Sequence, residues 1–397
     1  MPELASRMGK VKGSAIDAVA QKVRELKEQG KEIINFSIGV PNFLPPDRVY
    51  KAAHEDIDHD QGTYLPGRGT RELVQAFRLR MKEDGFNYAE EEIVSGLGGK
   101  HVLFNAMLAI LNKGDEVLIP TPYWTTYPDQ IKLLGGKPIF LASSASQNYK
   151  ITAKQLRDSI SSETRVLLFN NPSNPTGMVY SEKEVQALGD VLEEHDLWII
   201  SDDIYYRILF DGKSFHHLLK TNPVLRKRII IVHSISKSYG MPGWRVGMAA
   251  GPESVIKAIV NLNTTSCTHI SSVAMAAAAE AFSGSQKFVD EQCQNFEQKR
   301  DKVMESMQRI EGIDCPCPGG GFYVFPDVSK IFGRTYKDQT IKNGSHLAQL
   351  LLEDKKVALV PGEAFGDPHG IRISYALPDE LLEMGLARLE EFFSETA

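Results

Sequence analysis

The sequence predicts an α/β fold, with a large domain built on a mostly parallel seven-stranded sheet and a smaller α+β domain after it. Three observations carry this expectation. Between about residues 90 and 250, short β-branched or apolar runs alternate with helix-length segments, the pattern of a crossover-connected sheet. Several of those runs are apolar at consecutive positions, as strands covered by helices on both faces are. After residue 255 the alternation stops and a different set of elements begins.

Taken in order, the candidate strands are "EIVSG", "DEVLIP", "KPIFLA", "RVLLFN", "LWIISD", "RIIIVHS" and "VGMAAG". Between them, "GKHVLFNAMLAIL" and "SEKEVQALGDVLEEH" read as helices, the second opening on a Ser181 and Glu184 capping box. An alanine-rich helix, "SSVAMAAAAEAF", then leads into a long charged helix, "KFVDEQCQNFEQKRDKVMESMQRI", which reads as a connector. Beyond it, "GGGFYVFPDV", "VALVPGEAF" and "GIRISYA" read as strands of a second sheet, covered by "DELLEMGLARLEEFF". With 397 residues there is length for two domains and a large apolar interior.

The formal charge of −6 and the lack of a basic run argue against a nucleic-acid partner, and "RKR" at 226–228 reads as a solvated helix end. No stretch reaches the roughly 18 to 20 uncharged apolar residues of a membrane helix, and the first residues lack the pattern of a signal peptide. A cytoplasmic protein is expected. Four cysteines in a chain of this length do not make a disulfide framework. Cys315 and Cys317 form a close pair, but no second pair stands at zinc-ligand spacing, so no metal site is expected.

Polar residues gather just after the strands. "LLFN" runs into a turn containing Asn174, "LWIIS" ends in Asp202, Asp203 and Tyr205, and "IIIV" ends in "HSISKSYGMPGWRVG" with Lys237. Ligands of open α/β sheets bind beyond the carboxyl ends of strands, so these three ends aim an amide, an acid with a phenol, and an amine into one crevice. That set is what pyridoxal phosphate requires: a lysine for a Schiff base, a carboxylate for the ring nitrogen, and donors to the phenolate oxygen. Ser234, Ser236 and Arg245 flank the lysine as candidate phosphate ligands. "GLGGKH" at 96–101 adds small residues at a helix N-terminus, where free N–H groups favour an anion.

The ordered set "YLPGRGTREL", "GLGGKHVLFN", "PYWTTYP", "NNPSNPTG", "SDDIYYRILF", "SISKSYGMPGWRVG", "GGFYVF", "VPGEAFG" and "IRISYA" resembles the class I/II aminotransferases of the type I fold, in particular their bacterial aspartate aminotransferase subgroup. The resemblance implies a small domain made from both termini, residues 1–40 and 286–397, around a large cofactor-binding domain at 41–285. It implies that Lys237 is the Schiff-base lysine and catalytic amine, that Asp202 partners the pyridine nitrogen, and that Tyr205 and Asn174 bond the phenolate oxygen. Trp124 would stack on the ring. Ser234, Ser236, Arg245, the amides of Gly99 and Lys100, and Tyr64 from a second subunit would meet the phosphate, making the protein a homodimer with shared sites.

For the substrate, the resemblance assigns Arg372 to the α-carboxylate, a task suited to a guanidinium fork, and places Gly39 in a segment that closes over the site. Lys100, helped by Ser14, would meet a distal carboxylate. The implied reaction is ping-pong transfer of an amino group from an L-amino acid, aspartate or glutamate first, to a 2-oxo acid such as 2-oxoglutarate. Aromatic amino acids, prephenate or alanine are the alternative substrates, and a C–S lyase on the same lysine is the alternative reaction. A ligand-sensing regulator is disfavoured, since the first family motif begins by about residue 37. The chain departs from the pattern at Val40, Asn42 and Val74, which bear on lid closure and substrate choice rather than on cofactor ligands.

Overall fold

The computed structural model describes residues 3–11, 13–59 and 62–396. Its main sheet has seven strands: β1 (Ile93–Leu97), β2 (Glu116–Pro120), β3 (Lys137–Leu141), β4 (Thr164–Asn170), β5 (Trp198–Asp202), β6 (Ile229–Ser234) and β7 (Val246–Ala250), in the order β1-β7-β6-β5-β4-β2-β3. All neighbours run parallel except β7, which is antiparallel to both β1 and β6. Every expected strand of this sheet is present. Ile199, Ile200, Ile229, Ile230 and Ile231 are all fully buried although they alternate in direction, because helices cover both faces. Each such side chain contributes about 1.5 to 3 kcal/mol relative to exposure.

The helix Glu182–Glu193 begins as expected, with Ser181 Oγ accepting the Glu184 N–H and the Glu184 carboxylate accepting the Ser181 N–H. Such a cap contributes about 1 kcal/mol. The connector is a single helix, Lys287–Arg309.

The second region is more divided than the sequence suggests. "GGGFYVFPDV" gives only the two-residue strand Tyr323–Val324. Gly319 and Gly320 direct their N–H groups to the Gly177 carbonyl, Gly321 bonds Ile208, and Pro326 has no N–H to offer a ladder. "VALVPGEAF" splits at Leu359. Val357–Ala358 pairs in parallel with Ile34–Asn35, while Val360–Pro361 pairs antiparallel with Ile371–Ser374, which in turn pairs with Tyr323–Val324. Residues near the N-terminus and the C-terminal third therefore share hydrogen bonds, and one apolar cluster joins Ile34 and Phe36 to Leu382, Leu389 and Phe392.

"RKR" is not simply solvated. Arg226 lies 4.1 Å over the Tyr88 ring and forms an ion pair with Glu92.

Candidate active site

The adjacent strands β4, β5 and β6 end side by side, with Asn170 opposite Asp202 and Asp202 opposite Val232. Their ends line a cavity of about 160 Å³ that brings together Gly39, Trp124, Asn174, Asp202, Tyr205, Lys237 and Arg372. All seven were expected from sequence. A larger cleft of about 680 Å³ lies against the helix Ala15–Glu28, but its lining joins no nucleophile to an acid and a guanidinium.

Asp202 is 1% exposed. Its Oδ2 accepts a 2.6 Å hydrogen bond from Tyr127 Oη, and its Oδ1 has no partner among the described residues. Burial, reinforced by the neighbouring Asp203 and opposed by Tyr127, raises its pKa to about 7. A carboxylate so placed calls for a cationic or N–H partner at Oδ1. Lys237 is half-buried, and burial of its amine with the Arg372 and Arg245 charges lowers its pKa to about 8, against the attraction of Asp202. A fraction of this amine is therefore free base near neutral pH, as a nucleophile or proton carrier must be. Its Nζ donates to the Gly39 carbonyl at 2.7 Å.

Asn174 is held by the strand before it, its N–H bonding Asn170 Oδ1 while Asn170 Nδ2 bonds the Asp202 carbonyl. Its side-chain amide lies 3.4 Å from Tyr205 Oη, which lies 3.1 Å from Tyr323 Oη. Arg372 donates to Asn174 Oδ1 at 3.2 Å and to the Ser37 carbonyl at 2.6 Å, between the rings of Tyr323 and Phe365 at 4.7 and 5.0 Å. Its Nε has no partner among the described residues, leaving a donor for a carboxylate.

A cradle adjoins the cavity. The helix Gly98–Ile110 starts with Gly98 at φ +78°, and a Cβ on Gly98 would fall 2.3 Å from Arg245 Nη2. A Cβ on Gly247 would fall 2.4 Å from the Gly98 carbonyl carbon, so only glycine lets β7 approach this turn. Ser234 Oγ and Ser236 Oγ lie 2.7 Å apart, and Arg245 is steadied by the Leu97 and Pro242 carbonyls. Hydroxyls, a guanidinium and a helix N-terminus are the donor set of a phosphate site. With the partnerless Asp202 oxygen and the Lys237 amine in the same cavity, the residues fit pyridoxal phosphate.

Three expected residues stand apart from the cavity. Tyr64 is 89% exposed and touches the His269 ring edge-on. Ser14 caps the helix Ala15–Glu28 through the Asp17 N–H, and it is Ile16 that lines the cavity. Lys100 is exposed at the cavity's rim with its Nζ 5.1 Å above the Trp124 ring. Sequence reasoning missed Tyr127, Asn170 and Tyr323, although "PYWTTYP", "LLFN" and "GGFYVF" contained them.

The profile of the family "Aminotransferase class I and II" matches residues 31–389. An aspartate/prephenate aminotransferase of Cereibacter sphaeroides is 39% identical over 395 residues, covering 99% of each chain, and an aspartate aminotransferase of Bacillus subtilis is 36% identical over 98% of each. Among solved structures, the aspartate aminotransferase of Rhizobium meliloti superposes with a TM-score of 0.97 at 36% identity over 100% of both chains. That of Thermus thermophilus, solved with maleate, gives 0.92 at 32% identity, covering 99% of this chain and 100% of its own. The chain belongs to the class I and II aminotransferases.

Proposed function

We propose that this aminotransferase uses pyridoxal phosphate to move the amino group of aspartate or glutamate to a 2-oxo acid such as 2-oxoglutarate. The observation that carries the reading is the buried Asp202 oxygen without a partner, in one small cavity with the Lys237 amine and Arg372. When bound, the cofactor supplies an aldehyde that captures amines and a ring that withdraws electrons. Asp202 Oδ1 would accept the ring N–H, and Tyr127 would keep that carboxylate aimed. Ser234, Ser236, Arg245 and the amides of Gly99 and Lys100 would hold the phosphate, Trp124 would cover the ring, and Tyr205 with Asn174 would donate to its oxygen.

Arg372 would grip the substrate α-carboxylate through Nε and one Nη, fixing the α-carbon beside Lys237. The Lys237 amine, its pKa already lowered toward neutrality, would take the proton from that carbon and hold it at Nζ for its return. The N-terminal segment through Gly39 would exclude water while this happens. Lys100 supports a dicarboxylate preference, its ammonium lying 5.1 Å over the ring of Trp124, which lines the cavity. The Thermus relative's complex with maleate, itself a dicarboxylate, supports the same preference.

Each subunit would divide into domains at about residues 40 and 285, and a homodimer accords with the exposure of Tyr64, whose phenol would complete a neighbour's phosphate site. Four free thiols accord with a reducing, cytoplasmic setting. Among the described residues no helix is long and apolar enough to cross a membrane. The test is a panel of amino acids, with prephenate among the acceptors, scored by bleaching of the visible cofactor band and by the 2-oxo acid formed. Aspartate and glutamate should bleach it fastest; a panel led by alanine would redirect the substrate assignment, and ammonia release would favour a lyase.

A further inference from the structure

Behind Asp202 and Ser234, on the opposite face of the sheet, lies a second buried polar cluster. Side chains alternate along a strand, so Asp203 and His233 point away from the cavity while their neighbours point into it. Asp203 extends the ladder of β5 by one residue, its N–H bonding the Val232 carbonyl at 3.0 Å. Ser201 Oγ donates to Asp203 Oδ1 at 2.7 Å, which fixes the carboxylate on this rear face.

Asp203 Oδ2 stands 3.1 Å from His217 Nε2, with both residues almost fully buried. His217 Nδ1 accepts the Leu219 N–H at 3.0 Å, so the ring proton resides on Nε2, toward Asp203. Aromatic rings close the surroundings: Phe86 lies 4.9 Å from His217, and Tyr206 and Phe77 lie 4.5 and 5.5 Å from His233. The two facing atoms are out of hydrogen-bond alignment, and His233 Nε2 and Tyr88 Oη also have no partner among the described residues. A cluster of this kind costs folding free energy, since its groups give up water without full replacement. Apolar side chains would fill the same space more cheaply.

We propose that Asp203 is a positioning residue of the reaction: held by Ser201 and facing His217, its carboxylate is a second negative charge behind Asp202 that helps retain the proton on the cofactor ring. The inference rests on the cofactor assignment above. Its field reaches both neighbouring groups, since Asp203 is among the charges that raise Asp202 and that oppose the burial-driven fall of His233 to about 4. His217 stands 3.1 Å from Asp203, and the Asp203 charge acts on Asp202, Tyr127, His233 and Tyr88. Asp84, which accepts from Tyr206 Oη and lies beside Arg207, also acts on His233. The charges acting on Lys237 are Arg372, Arg245, Asp202 and Lys100.

The test is Asp203→Asn, nearly the same shape without the charge, loaded with pyridoxal phosphate and titrated by its visible absorption. Loss of a nearby negative charge disfavours protonated, cationic forms, so the midpoint of the spectral change should fall by about half a pH unit or more. The cofactor's half-saturation concentration should rise several-fold, and Asp203→Glu should recover the midpoint. A merely structural role would lower thermal stability and cofactor affinity while leaving the midpoint in place, and that result overturns the proposal. Should asparagine destabilise the fold, Asp203→Ser keeps an acceptor for Ser201 and is read in the same way. A wild-type protein that never develops the visible band would overturn the cofactor assignment itself.

Discussion

Lys237 Nζ donates a 2.7 Å hydrogen bond to the carbonyl of Gly39, 198 residues earlier in the chain. The bond ties the N-terminal segment directly to the reactive amine. Gly39 has no room for a side chain there, because a Cβ would fall 2.2 Å from Tyr323 Oη. The segment that covers the cavity is thus fitted against both the lysine and the tyrosine that supports Tyr205.

Gly39→Ala should therefore push the segment or Tyr323 aside while leaving the cofactor ligands in place. The expected outcome is a visible band of normal intensity with a Michaelis constant for the amino donor raised about tenfold, a loss of roughly 1.4 kcal/mol. Steady-state kinetics beside an absorption spectrum check it; unchanged kinetics would detach Gly39 from closure.

Asp202 carries a cost in the cofactor-free protein. Its folded pKa is raised above the ordinary aspartate range to about 7, so between roughly pH 4 and 7 the folded state binds more protons than the unfolded one. Its contribution to stability therefore declines as pH rises through that window. Asp202→Asn should stabilise the apoprotein at pH 8 by about 1 to 3 kcal/mol, with the gain vanishing near pH 4, and should weaken cofactor binding sharply. Denaturant titration of both apoproteins at the two pH values checks this; equal stability at pH 8 would show that Asp202 is compensated.

Lys100 distinguishes dicarboxylates from other donors if its ammonium swings from the Trp124 face to a distal carboxylate. Lys100→Ala should raise the Michaelis constant for aspartate by about tenfold or more, and that for alanine by less than about threefold. Parallel kinetics with the two donors decide it. Equal effects would leave Lys100 to the phosphate end of the site.

The sequence made the seven-stranded sheet and the three polar strand ends legible because both are local signals: apolar runs mark β4, β5 and β6, and the chemistry follows each run within a few residues. Tyr127 and Tyr323 were hidden for the opposite reason. Tyr127 opens a short helix, where an aromatic reads as core, and its bond to Asp202 spans 75 residues. Tyr323 reaches Tyr205 across 118 residues from a two-residue strand. The division of "VALVPGEAF" between two pairings was likewise hidden, because Val357 and Val360 have the same character and differ only in which distant strand they meet. Ser14 shows the reverse case, since its local role as a helix cap is readable from sequence, whereas the expectation that it helps bind substrate meets a cavity lined by Ile16 and not by Ser14.

The most direct test of the account is the absorption spectrum of the purified protein after incubation with pyridoxal phosphate, for the wild type and for Lys237→Ala. The wild type should develop a visible band that an amino donor bleaches, and Lys237→Ala should show neither that band nor transamination. Lys237→Arg should fail in the same way, because its guanidinium stays protonated. A Lys237→Ala protein with the same band and wild-type turnover would contradict the assignment of Lys237, and with it the account of the site.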